Sequence, residues 1–306
     1  MQTLVPTGRR EALVALADTG VPVPRPDEAL VKVAAFSVNR GEIFLLEAPR
    51  PGARPGKDIA GLVVQAAADG TGPAAGQRVV GHPEAGGWAE YAAVPVGSLA
   101  PVPESLADTA AAALPLAGLT ALRILRIADP LTGRRILLTG ASGGVGHYLT
   151  ELAAAAGAEV TAVTSSAERG ERLAQLGAAA IVHDVAAASG PFSLVLESTG
   201  GSNLPLAVDR LGHGGTVIWF GQASRSPATL SFFDLRDRPG SVTIRQFAYY
   251  DCATPYGEDL AILVRLVETG RLHPEIGRVA DWSHTAAVLT DLDQRRIRGN
   301  AVLTIS

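Results

Sequence analysis

Two textures of apolar patterning divide the chain. In the first third, short apolar runs are separated by Gly and Pro. Ala29–Ala35 alternates after a turn punctuated by Pro22, Pro24 and Pro26, and Gly61–Ala68, Gln77–Gly81 and Ala89–Val94 follow as further short strands. This spacing predicts a small barrel or mixed sheet. Ala110–Ala128 is a helical Ala/Leu stretch with Pro115 near its start. Strand and helix signals then alternate: Arg135–Thr139, Val145–Ala156, Val160–Thr164, Ala167–Leu176, Ala180–Val182, Leu194–Glu197, Thr216–Phe220 and a last strand at Ser241–Phe247. Alternation of this kind predicts a parallel sheet with helical crossovers. Two more helices, Gly257–Gly270 and Thr285–Asp293, and a terminal strand, Ala301–Ile305, return the chain to the β-rich part.

A length of 306 residues fits two domains. The expected division is a discontinuous β-rich domain, 1–113 with 251–306, around an α/β domain, 114–250. Charged residues make up 18% and the formal charge is −4, with both signs interspersed, so no nucleic-acid partner is expected. No apolar run reaches the roughly 18–20 residues of a membrane span. Met1–Arg10 has no apolar core of a signal peptide. Cys252 is the one cysteine, so no intramolecular disulfide can form and a reducing, cytoplasmic setting is expected.

The sharpest local signal is Ile136–Leu137–Leu138–Thr139–Gly140–Ala141–Ser142–Gly143–Gly144–Val145–Gly146. A buried strand feeds a glycine turn and a helix opens from it. Such a turn lets backbone approach a pyrophosphate, and the helix start offers free N–H groups and a positive dipole end. Ser142, Gly143, Gly144, Val145 and Gly146 are therefore candidate dinucleotide ligands. The Thr-Gly-x-x-x-Gly-x-Gly frame is also similar to that of short-chain dehydrogenases. Those enzymes carry it near the N-terminus with a Tyr-x-x-x-Lys pair, and no tyrosine here has a lysine four residues later.

The end of the next strand selects the nicotinamide cofactor. NAD sites place an acid there for the ribose 2′-hydroxyl. Here the tip reads Val163–Thr164–Ser165–Ser166–Ala167–Glu168–Arg169. Thr164, Ser165, Ser166 and Arg169 suit a 2′-phosphate, so NADPH is expected. The competing reading is a polar turn with Ser166 as helix cap. Ser198, Thr199, Phe220 and Gly221 also follow strand ends, where ligands of such sheets lie.

Several segments together resemble the medium-chain dehydrogenase/reductase superfamily, in its zinc-free quinone oxidoreductase and enoyl reductase branch. They are Ser37–Val38–Asn39–Arg40–Gly41–Glu42, Gly56–Lys57–Asp58–Ile59–Ala60–Gly61, Gly86–Gly87–Trp88–Ala89–Glu90–Tyr91, Leu114–Pro115–Leu116–Ala117–Gly118–Leu119–Thr120–Ala121, the glycine loop, and Gly299–Asn300–Ala301–Val302–Leu303. The resemblance implies a GroES-like catalytic domain wrapped around a Rossmann domain, an active site in the cleft between them, and a homodimer paired through Ser241–Phe247. It also implies roles for Asn39, facing the nicotinamide cleft, and for Thr120, approaching the nicotinamide ribose or phosphate. Gln246 and Phe247 would meet the carboxamide. Asn300 stands near the cofactor where relatives carry a lysine.

Zinc members use a cysteine and a His-Glu pair; Lys57–Asp58 stands in place of that pair, and no cysteine precedes Cys252. No metal is therefore expected. The six histidines are unclustered and read as surface or loop residues, with His147 packing in its helix; Trp88 reads as core, and Glu42 as structural. Phe44 replaces the tyrosine that many relatives carry five residues after the Asn, which leaves solvent to protonate the product. The expected activity is NADPH-dependent reduction of a quinone or an α,β-unsaturated carbonyl. A nucleotide-binding protein with a regulatory role and a biosynthetic reductase of a polyketide-like intermediate stay open.

Overall fold

A computed structural model describes residues 1–238 and 240–305. It divides into two compact units, Met1–Leu119 with Ala253 onward, and Thr120–Cys252.

The second unit is a six-stranded parallel sheet. Its spatial order is Ala180–Val182, Glu159–Val163, Arg135–Leu138, Phe192–Glu197, Leu211–Trp219 and Thr243–Gln246. Numbered along the chain this is 3-2-1-4-5-6, the Rossmann order. The cause is legible in burial. Ile136, Leu137, Leu138 and Val195 are wholly buried, as strands covered by helices on both faces must be. Crossover helices Gly144–Ala155, Ala167–Gln175 and Asn203–Asp209 supply the covering apolar faces.

The first unit is a mixed sheet in the order Ile276–Asp281, Asn300–Thr304, Glu28–Val38, Ile59–Gln65, Arg78–Gly81 and Leu99–Pro101, with Tyr91–Pro95 also paired to Glu28–Val38. Glu28–Val38 bonds to three strands, and its register against Ile59–Gln65 shifts twice. Those bulges bend the strand. Its core includes Phe36, Ile43, Ile59, Trp88, Val288 and Leu289. Trp88 is fully buried, stacks on Phe36 at 5.6 Å, and donates its indole N–H to the Ser37 carbonyl at 3.1 Å. It is a core residue, as expected.

Several elements depart from the sequence reading. The hairpin Gln2–Arg9/Ala12–Asp18 and the strand Ile276–Asp281 were not expected. The strand at Thr216 begins earlier, at Leu211, because Gly212, Gly214 and Gly215 mask its apolar pattern. Ala110–Ala128 is two helices, Asp108–Ala112 and Pro115–Ala128. Pro115 lacks an N–H and disfavours helix at the residue before it, so it starts a helix and cannot continue one.

Candidate functional site

In the second unit, Arg135–Leu138 runs into the turn that opens helix Gly144–Ala155. Gly143 is its N-cap and brings no side chain to cap it. The first amide bonded back to the cap is His147 N–H, to the Gly143 carbonyl at 3.1 Å. The helix start thus lacks a side-chain cap where an anion would sit. Gly140 adopts φ +62°, and a Cβ there would strike the Ser198 hydroxyl; a Cβ at Gly146 would strike the Ala141 carbonyl. Both glycines permit the close strand–helix approach that forms the cradle.

Glu159–Val163 ends beside this loop, and Ser166 caps helix Ala167–Gln175 by accepting the Arg169 N–H at 3.4 Å. Arg169 Nε donates to Ser142 Oγ at 3.0 Å, so the structure joins the second strand's tip to the glycine loop. The Thr164 hydroxyl is buried without a hydrogen-bond partner. Ser165 and Glu168 are exposed. A 2′-phosphate fits this set better than a ribose hydroxyl, because hydroxyls and an arginine stand at the tip and no carboxylate follows the strand end directly; Glu168 lies on the first turn of helix Ala167–Gln175 and is exposed.

A carboxylate the sequence reading did not single out organises the neighbouring strand end. Glu197 is fully buried. Its Oε1 accepts from Thr139 Oγ1 at 2.8 Å and from the Thr199 N–H and hydroxyl at 2.9 and 2.5 Å, and its Oε2 accepts the Gly200 N–H at 2.9 Å. Ser198 donates to the Thr139 carbonyl at 3.0 Å. The side chains of Ser198 and Thr199 are therefore committed to holding the turn. Phe220 N–H bonds to the Glu197 carbonyl at 2.9 Å and Gly221 lies against Ser198. Phe247 N–H bonds to the Trp219 carbonyl at 2.9 Å, while Gln246 is exposed on the edge strand.

In the first unit the bulged strand Glu28–Val38 delivers Ser37 and Asn39 to a second buried carboxylate, Asp58. Its Oδ2 accepts from Ser37 Oγ at 2.5 Å and Asn39 Nδ2 at 2.6 Å. Its Oδ1 accepts the Leu116 N–H at 2.9 Å and lies 3.2 Å from His82 Nδ1. Asn39 occupies the N-cap position of helix Arg40–Glu47, and its N–H donates to Glu42 Oε2 at 2.9 Å. Glu42 is buried, and its Oε1 has no hydrogen-bond partner. Burial, with the Asp58 charge adding, pushes the Glu42 carboxyl up to about 8. His82 is 2% exposed, with Tyr256 edge-on at 4.8 Å. This corrects its reading as a surface or loop residue: it follows the buried strand Arg78–Gly81, and a buried imidazole needs the partner Asp58 supplies. His147 packs within its helix, Nδ1 2.9 Å from the Gly143 carbonyl.

Thr120 is buried in helix Pro115–Ala128, at the start of the second unit. Asn300 opens strand Asn300–Thr304 in the first unit; its Nδ2 and its N–H both donate to the Glu275 carbonyl, at 3.1 and 2.8 Å. That amide closes a local turn.

Two family models match the chain: "Alcohol dehydrogenase GroES-like domain" over residues 25–104 and "Zinc-binding dehydrogenase" over residues 144–268. The chloroplast envelope quinone oxidoreductase homolog of Arabidopsis thaliana is 30% identical over 92% of this chain and 89% of its own. The 2-methylene-furan-3-one reductase of Solanum lycopersicum is 30% identical over 97% of this chain and 76% of its own. The Escherichia coli quinone oxidoreductase solved with NADPH superposes with a TM-score of 0.89 at 20% identity, over 99% of this chain and 100% of that one. The chain belongs to the quinone oxidoreductase branch of the medium-chain dehydrogenase/reductase superfamily. It is an oxidoreductase of GroES-like and Rossmann architecture.

One of the matching descriptions names zinc, so the donor set of this oxidoreductase matters. A catalytic zinc needs about three N, S or O ligands and an open position. Among the described residues no three of His, Cys, Asp and Glu come together in a way that could hold a metal ion. Asp58 already has both oxygens engaged by the four groups above.

Proposed function

We propose that this oxidoreductase binds NADPH on its Rossmann unit and, without zinc, reduces quinones or α,β-unsaturated carbonyls. One observation carries the cofactor reading: Arg169 bonded to Ser142 at the glycine loop, with no carboxylate at the end of the second strand. In this reading Ser142–Gly146 take the pyrophosphate, and Thr164, Ser165, Ser166 and Arg169 take the 2′-phosphate. Ser198, Thr199, Phe220, Gly221, Gln246 and Phe247 line the nicotinamide side, with Asn300 near it. NADPH, when bound, supplies the hydride. Asn39 donates an amide N–H to the substrate carbonyl oxygen, which polarises it in place of a metal, and Thr120 positions the nicotinamide end. Phe44 offers no proton, so water protonates the product.

The same proposal pairs two copies through the edge strand Thr243–Gln246. All four of its residues are exposed, and Ile244, Phe232 and Phe233 are exposed large apolar residues of this unit. A single exposed cysteine, Cys252, suits a reducing cytoplasm. The domain division proposed is 1–113 with 251–306, and 114–250.

The test is a titration with NADPH and NADH by nicotinamide fluorescence, followed by absorbance loss with 1,4-benzoquinone and 2-cyclohexenone. Tighter NADPH binding with turnover of either compound is expected. Binding of neither nucleotide would refute the proposal.

A further inference from the structure

A carboxylate that collects four donors does more than fill a core. Asp58 is fully buried, and Ser37 and His82 are 1% and 2% exposed. Both Asp58 oxygens are committed: Ser37 and Asn39 on Oδ2, Leu116 N–H and His82 on Oδ1. A buried carboxylate is stable only with such compensation, and the geometry is correspondingly specific. Because a carboxylate only accepts, it admits the NH₂ end of the Asn39 amide and repels its carbonyl. The amide therefore cannot flip. Its backbone N–H is held by Glu42 at 2.9 Å. Asn39 is thus clamped at two points by two acids from different elements, and its remaining Nδ2 hydrogen has one direction.

We propose that Asp58 is the positioning residue of the reaction: it fixes the orientation of the Asn39 amide, and the His82 ring, donating through Nδ1, holds the Asp58 carboxylate in place. This rests on the reading above that Asn39 contacts the substrate. An amide oriented before binding loses no rotamer freedom at the transition state, and a displaced one costs rate without costing cofactor affinity.

The decisive variants are Asp58→Asn and the pair His82→Leu and His82→Asn. Asn at 58 can accept with one atom only, so it loses half of the four bonds and turns its NH₂ end toward donors. The expected result for Asp58→Asn is a fall in kcat on the order of 10²-fold with 1,4-benzoquinone, and an NADPH dissociation constant within about threefold of wild type. His82→Leu removes one donor and lowers kcat; His82→Asn keeps an N–H for Asp58 and restores it. The His82 pair gives the answer if Asp58→Asn does not fold. A folded Asp58→Asn protein with wild-type kcat, or equal kcat for the two His82 variants, overturns the inference.

A second readout does not depend on turnover. In the nitrogen–proton spectrum of the full-length protein, one Asn39 Nδ2 proton is expected downfield and slow to exchange. Either Asp58→Asn or His82→Leu returns it toward the ordinary asparagine position. An ordinary wild-type resonance overturns the inference. Wild-type protein with that resonance and no turnover of either compound overturns the reductase reading and leaves the clamp standing.

Discussion

Replacing Glu42 with glutamine removes a carboxyl that burial holds far above its ordinary value. Its pKa rises from 4.5 to about 8, chiefly through desolvation and next through the nearby Asp58 charge. Between those values the unfolded chain has released this proton and the folded protein still holds it. The folded state then binds more protons than the unfolded state, so stability falls as pH rises across the window. The slope is about 1.4 kcal/mol per pH unit. From about pH 5.5 to about pH 7.5 the wild type is expected to lose roughly 2–3 kcal/mol that Glu42→Gln retains. Glutamine keeps an oxygen for the Asn39 N–H but buries an NH₂ group where Oε1 has no partner. That costs about 1–3 kcal/mol at every pH and shifts the whole curve without tilting it. The assay is urea denaturation of both proteins at a series of pH values, with the stability difference plotted against pH. A difference that stays constant across the window would refute the assignment of a neutral, buried Glu42.

Other outcomes follow from the same geometry. Arg169→Ala is expected to weaken NADPH binding by roughly 10–100-fold, the loss of one charge-assisted contact, and to leave NADH binding unchanged in the same fluorescence titration. Gly146→Ala drives a methyl into the Ala141 carbonyl; separating strand from helix lowers the melting temperature and the nucleotide affinity together. Trp88→Phe keeps the apolar stack on Phe36 but strands the Ser37 carbonyl, for a loss of about 2 kcal/mol in urea denaturation. Ile244→Asp puts a charge on each copy of the proposed pairing edge; if that pairing forms, the wild type sediments as a dimer and the variant as a monomer at the same concentration.

Much of this organisation is legible in the chain because it is written in local rules. Buried parallel strands are continuous apolar runs, so Ile136–Leu138 and Leu194–Glu197 stand out. The glycine turn declares itself by sitting between strand and helix. The tip Thr164–Arg169 is readable because one residue type, an acid at the strand end, is missing. What escapes is whatever depends on distant partners. Asp58, His82 and Leu116 are far apart in the chain and meet only when the sheet forms. His82 read alone is a polar residue after a short strand, and only its burial against Asp58 reveals its part. The strand Ile276–Asp281 has exposed residues at its centre, so neither alternation nor a continuous apolar run marks it.

The two units solve the same physical problem in the same way. Each must hold polar groups rigidly at the ends of apolar strands, where backbone amides lose their ladder partners. Each places one fully buried carboxylate there. Glu197 gathers Thr139, Thr199 and Gly200; Asp58 gathers Ser37, Asn39, His82 and the Leu116 amide. A buried charge left short of donors would be costly, so the donors cannot drift without exposing that cost. The charge therefore converts a set of weak, individually mobile hydrogen bonds into a stiff frame. A neutral isostere at either position would leave the hydrophobic cores intact and still loosen the turn it organises. On this argument Glu197→Gln should resemble Asp58→Asn in leaving the fold intact. It should differ in where it acts: Glu197→Gln disturbs the turn beside the glycine loop and so weakens NADPH binding, whereas Asp58→Asn slows turnover at unchanged nucleotide affinity. Equal effects of both variants on nucleotide affinity would break that division of labour.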